Sequence, residues 1–160
     1  MHRVFLLCAL AVALAAPAAA TAATSFQVAG IEVSASPATF VGAAKQNGAT
    51  VGAWYAVVPH TPLSDDPSNP AQICTAAEPP PCGAFALTAG SQAFTGAFLG
   101  GTITFAGLVS TGDGCPDQTY AVNGTLTDGA FQALLRHFRK FPFLGCPIVG
   151  ATISGQALLT

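Results

Sequence analysis

Outside its first few residues the chain has two histidines, His60 and His137, and they limit the acid–base chemistry it could perform. Nucleophilic catalysis needs a Ser, Thr or Cys beside a base, with the base oriented by a third group. No Gly-x-Ser-x-Gly elbow occurs. His60 precedes a proline-rich stretch and reads as a solvated strand end, while His137 lies among cations and reads as a surface residue. No catalytic residue is assigned on these grounds.

The carboxylates offer little more. Glycoside chemistry needs two acids about 5 to 9 Å apart in a cleft. Asp65 and Asp66 are adjacent, and Asp113 and Asp117 flank Cys115, positions that suit turns because aspartate bonds its own backbone. Calcium would call for an Asp-x-Asp-x-Asp-Gly loop, which is absent. The expectation is no metal and no cofactor.

Cys74, Cys82, Cys115 and Cys146 form an even set once Cys8, inside the apolar leader, is set aside. Zinc ribbons use close Cys-x-x-Cys knuckles, and neither pair here has that spacing. The shortest-loop pairing, Cys74 with Cys82 and Cys115 with Cys146, predicts two disulfides contributing about 2.6 and about 3.7 kcal/mol by loop entropy. The first would close a stiff, proline-rich loop suited to presentation to a partner; its plainer role is a stapled connection.

Arg136, His137, Arg139 and Lys140, interleaved with Phe138 and Phe141, are the only basic cluster and the candidate interaction patch. Such a group can grip a phosphate, a polysaccharide acid or an anionic surface. It can equally guard a strand edge against unwanted pairing.

The elements that carry these residues follow from punctuation and alternation. Residues 1–23 have a short basic start, an apolar run over 4–15, Pro17 and then small residues, the pattern of a secretory signal peptide cleaved near Ala23. The remaining 24–160 reads as one exported domain, extracellular or periplasmic, with no later run long enough to span a bilayer. Four cations stand there against seven carboxylates, a net charge of −3, which argues against nucleic acid as a partner.

Strands are expected at 26–33, 38–44, 50–58, 83–88, 93–98, 101–109, 118–126 and 147–158. Asn47-Gly48 and Asp128-Gly129 mark hairpin turns. Segment 50–58 is apolar on both faces and is expected to lie centrally. The seven prolines between Pro59 and Pro81 mark a long loop. Segment 130–141 is contested, since Phe131, Leu134, Leu135 and Phe138 fall at helical spacing. A strand is preferred because only an extended return of about 36 Å brings Cys146 back to Cys115.

The fold expected is all-β, an antiparallel sandwich or small barrel of seven to nine strands stapled by two disulfides. Scarcity of His, Asp, Glu and Lys favours a non-enzymatic binding or interaction module whose partner is an unknown protein or a small apolar ligand. The alternatives are a carrier of a small apolar ligand between the sheets and, behind it, a hydrolase with residues converging from distant strands.

Overall fold

Alternating inward and outward side chains, with β-branched and aromatic residues turned inward, make each segment a half-buried strand that must pair on both sides. In a computed structural model, which describes residues 22–160, nine strands form. They are β1 (Thr24–Ala35), β2 (Ala38–Gln46), β3 (Ala49–Val58), β4 (Ala71–Ile73), β5 (Cys82–Ala89), β6 (Gln92–Val109), β7 (Asp117–Leu126), β8 (Gly129–Arg139) and β9 (Ile148–Leu159). The expected signal peptide lies outside the described residues except for its last two.

Every pairing is antiparallel, and the order β6-β5-β3-β2-β1-β9-β8-β7 returns to β6. The sheet is therefore a closed eight-stranded barrel with β4 as an extra strand, and the choice between sandwich and barrel is resolved. Closure also leaves β3 no more central than its neighbours. The two disulfides join Cys74 to Cys82 and Cys115 to Cys146, the expected pairing.

Three local outcomes differ from or settle the sequence reading. The segments at 93–98 and 101–109 are one long strand, because the chain makes a bulge between Phe98 and Gly100 inside β6 and not a turn, followed by Gly100 and Gly101 with φ of 138° and 146°. Part of the proline-rich stretch is strand: β4 pairs with β6 at residues 101–103 and bridges to His60 on its other side. Residues 129–139 are strand, held between β7 and β9.

The interior divides into two halves. Gly30, Gly42 and Trp54 stand in one row across β1, β2 and β3. A Cβ on Gly30 would lie 2.9 Å from the Trp54 ring, so Gly30 makes room for the indole, whose Nε1 donates to the Ala29 carbonyl at 3.2 Å; a Cβ on Gly42 would instead meet the backbone of β1. Phe85 and Phe131 pack on Trp54, Phe98 meets Phe131, and Phe94 meets Phe26, closing this end as an aromatic floor. Two-residue turns at 47–48, 90–91 and 127–128 join the strands there.

The opposite end, the mouth, carries the three long connections, 59–81, 110–116 and 140–147. An eight-stranded barrel has an interior just wide enough to be filled by side chains or to hold one small ligand. In this chain the packed cluster of Trp54, Phe85, Phe98 and Phe131 fills one half only.

Candidate ligand-binding site

Above the aromatic floor lies a cavity of about 240 Å³. Its walls are Phe40, Val58, Ile103, Val122, Leu135 and Ile153, with Leu63 and Ile148 nearer the rim. Three polar side chains interrupt this apolar surface: Glu32, His60 and His137. A shallow hollow of about 260 Å³ adjoins it beneath residues 75–78 and shares His60, Ala35, Ala38 and Val58 with it. Larger hollows near Lys45 and Gln156 are broad, open grooves on the outer wall.

Strand parity places the polar groups. On β1, Phe26 and Val28 face inward, and two-residue periodicity carries Glu32 to the same face near the mouth. On β8 the same rule takes Phe131 and Leu135 inward and His137 with them. His137 is only 6% exposed, so the sequence expectation of a surface histidine is overturned; its strand is walled on both sides and the interior face is the one it occupies. His60 follows β3 and is held by its bridge to Ile73.

The two imidazoles differ in their hydrogen bonding. His60 Nδ1 lies 2.7 Å from the Thr61 carbonyl oxygen, which can only accept, so the proton sits on Nδ1 and the neutral ring keeps Nε2 as an acceptor. His137 Nδ1 is buried with no hydrogen-bond partner. Desolvation pushes the pKa of His137 below its ordinary value, favouring the neutral ring, and His60 adds to this only in its protonated form. For Glu32, desolvation pushes the carboxyl pKa up, and His60 opposes this only when it is itself protonated.

A lid covers part of the mouth. Within the 59–81 connection, the Asp65 carboxylate accepts from Tyr120 Oη at 2.9 Å and from Gln118 Nε2 at 2.8 Å. Thr61 N donates to the Gln72 carbonyl and Cys74 N to that of Pro59, pinning the base of the loop. Leu63 is thereby set against the cavity. Burial and the Asp65 carboxylate hold the Tyr120 phenol firmly protonated, and its ring stands 5.4 Å from that of His137.

The basic cluster is engaged with the mouth loops. Asp117, 1% exposed, accepts from Arg136 Nε at 2.9 Å and from the Arg139 backbone N–H at 3.0 Å, and Arg136 Nη2 lies 2.7 Å away. Burial works against its charge, yet these donors hold its pKa below the usual carboxylate range. Arg136 also stacks over Phe138 at 5.4 Å, Arg139 Nε donates to the Cys146 carbonyl, and Lys140 pairs with Asp113. The edge-guarding role is overturned, since β8 has no free edge. Asp66 and Asp113 do shape turns, bonding Ser68 and Cys115 respectively.

Among the described residues no three His, Cys, Asp or Glu side chains group closely enough to hold a metal ion. Neither histidine is hydrogen-bonded to a carboxylate or hydroxyl there, so no nucleophile–base pair is assembled. No helix among the described residues is long and apolar enough to cross a membrane. No family model, curated protein or solved structure matches this chain. The three inward polar residues and the cavity therefore carry the functional argument. Of these, His60 and His137 stand out in the sequence by residue type, whereas Glu32 is marked there only by its shared parity with Phe26 and Val28.

Proposed function

We propose that the protein is an exported carrier of a small, mainly apolar ligand, held in the mouth of the barrel. The observation that supports this most is the cavity itself: apolar walls interrupted by a few polar residues, Glu32, His60 and His137. An engineered cavity of about 150 Å³ holds benzene, so one of about 240 Å³ suits a single ring with a short polar arm. The two disulfides fit an oxidising compartment outside the cytoplasm.

The test is native mass spectrometry of the protein as exported, compared with Val122→Phe and Leu135→Phe variants that fill the cavity. A non-covalent adduct of roughly 100–200 Da on the natural protein is expected, absent from both variants while their circular dichroism stays native. A protein that never carries an adduct, or variants that keep it, would overturn the carrier reading.

A further inference from the structure

We infer that the ligand is a small aralkyl amine, its ring against the apolar wall and its ammonium group among Glu32, His60 and His137. The inference rests on the carrier reading and deepens it by naming the ligand class.

Three observations converge on a cation. First, the titratable groups lining the cavity and the adjoining hollow are Glu32, Glu78, His60 and His137, and no Lys or Arg lines either space. Second, among the described residues Glu32 has neither an ion pair nor a hydrogen bond, although it faces an apolar interior. Charges taken out of water are ordinarily paired, and the partner missing from the protein is a positive one.

Third, the polar groups offered to a ligand are acceptors. His60 has committed its Nδ1 proton to the Thr61 carbonyl, which leaves Nε2 as an acceptor in the neutral ring. Desolvation favours neutral His137, which can accept through one ring nitrogen. Ionised Glu32 accepts only. A primary ammonium has three donors and no acceptor, so it complements this set; a carboxylate ligand would meet Glu32 with like charge. Tyr120 is not available as a donor, because its hydroxyl proton is given to Asp65.

The experiment is calorimetric titration of the disulfide-intact protein at neutral pH with 2-phenylethylamine, 2-phenylethanol and 3-phenylpropionate, three probes of one size that differ in charge. The amine is expected to bind at least about tenfold tighter than the alcohol, and the carboxylate to bind weakest. Glu32→Gln is expected to cut the amine affinity about tenfold and to leave the alcohol within about threefold. Alcohol binding as tight as amine binding, or an amine affinity unchanged by Glu32→Gln, overturns the cationic ligand and leaves the carrier reading standing. If no probe binds while the natural adduct persists in the mass spectrum, the amine class is wrong and the carrier reading survives; if both are absent, both fall.

Discussion

The hydroxyl of Tyr120 and the carboxylate of Asp65, 55 positions apart in sequence, meet at 2.9 Å and fasten the lid to the barrel wall. A hydrogen bond to a charged acceptor contributes about 1.5–3 kcal/mol, more than a neutral pair. Tyr120→Phe is expected to lower unfolding stability by about 1–2 kcal/mol and to raise amide exchange across residues 61–70. Asp65→Ala should do the same, and the double variant should cost less than the sum of the two, as a denaturant-based mutant cycle would reveal.

Glu32 should cost the fold stability at neutral pH. Its folded pKa is raised above the ordinary 4.5, so its contribution is fully present below that value and is lost as pH rises through the raised one. Glu32→Gln is therefore expected to stabilise the empty protein above the raised value by about 0.5–1 kcal/mol, solvent at the mouth keeping the figure small. The gain should vanish below about pH 4.5 in a series of urea melts. A variant less stable than the natural chain at pH 7 would contradict this.

His137 has the opposite sign. Its folded pKa lies below the ordinary 6.5, so the stability it contributes is present above 6.5 and is lost as pH falls toward the folded value. The groups around it are His60, Glu32 and the Tyr120–Asp65 pair. Comparing the natural protein with His137→Phe between pH 7 and 5 isolates its share: the natural chain should lose stability more steeply, by at most about 1.4 kcal/mol per pH unit.

Much of this architecture is legible from residue alternation. Segments 26–33, 50–58 and 118–126 lie within β1, β3 and β7, because alternation and Gly or Asn punctuation are local signals. The helical spacing of Phe131, Leu134, Leu135 and Phe138 was accidental: Phe131 and Leu135 face inward at strand period, and Leu134 is exposed. Gly100 and Gly101 read as a break because a bulge and a turn use the same residue, and only the partner strand β7 distinguishes them. The three-residue β4 carries no periodicity, so its pairing with β6 has no local signature. The cavity was illegible for a different reason. It depends on which residues from eight strands reach one level of the barrel, and that follows from register across the whole sheet.

Asp117 should prove the most sensitive residue in the basic cluster. Nearly full burial and two bonds to Arg136 and Arg139 mean that Asp117→Ala strands the Arg139 amide and frees Arg136. A loss of about 1–3 kcal/mol is expected, the cost of leaving the Arg139 amide without its acceptor, since the freed Arg136 is partly solvated. Lys140→Ala, at an exposed pair with Asp113, should change stability by under about 1 kcal/mol. Thermal melts of the two variants check the contrast.

Removing the Cys115–Cys146 bridge by double alanine substitution is expected to cost up to about 3.7 kcal/mol, and removing Cys74–Cys82 up to about 2.6 kcal/mol. The larger bridge ties the two connections at 110–116 and 140–147, so its loss should also weaken ligand retention, read as a faster off-rate for the same adduct.

The strands β4 and β5 lie one after the other along the same flank of β6, and the residues between them leave the wall at Cys74 and re-enter it at Cys82. The excursion is thus an eyelet clamped at its base by sulfur, and its length has no bearing on how the wall is registered on either side. Foreign peptides spliced between Thr75 and Pro81 should be displayed there without disturbing the barrel, which makes this eyelet the natural place for a graft.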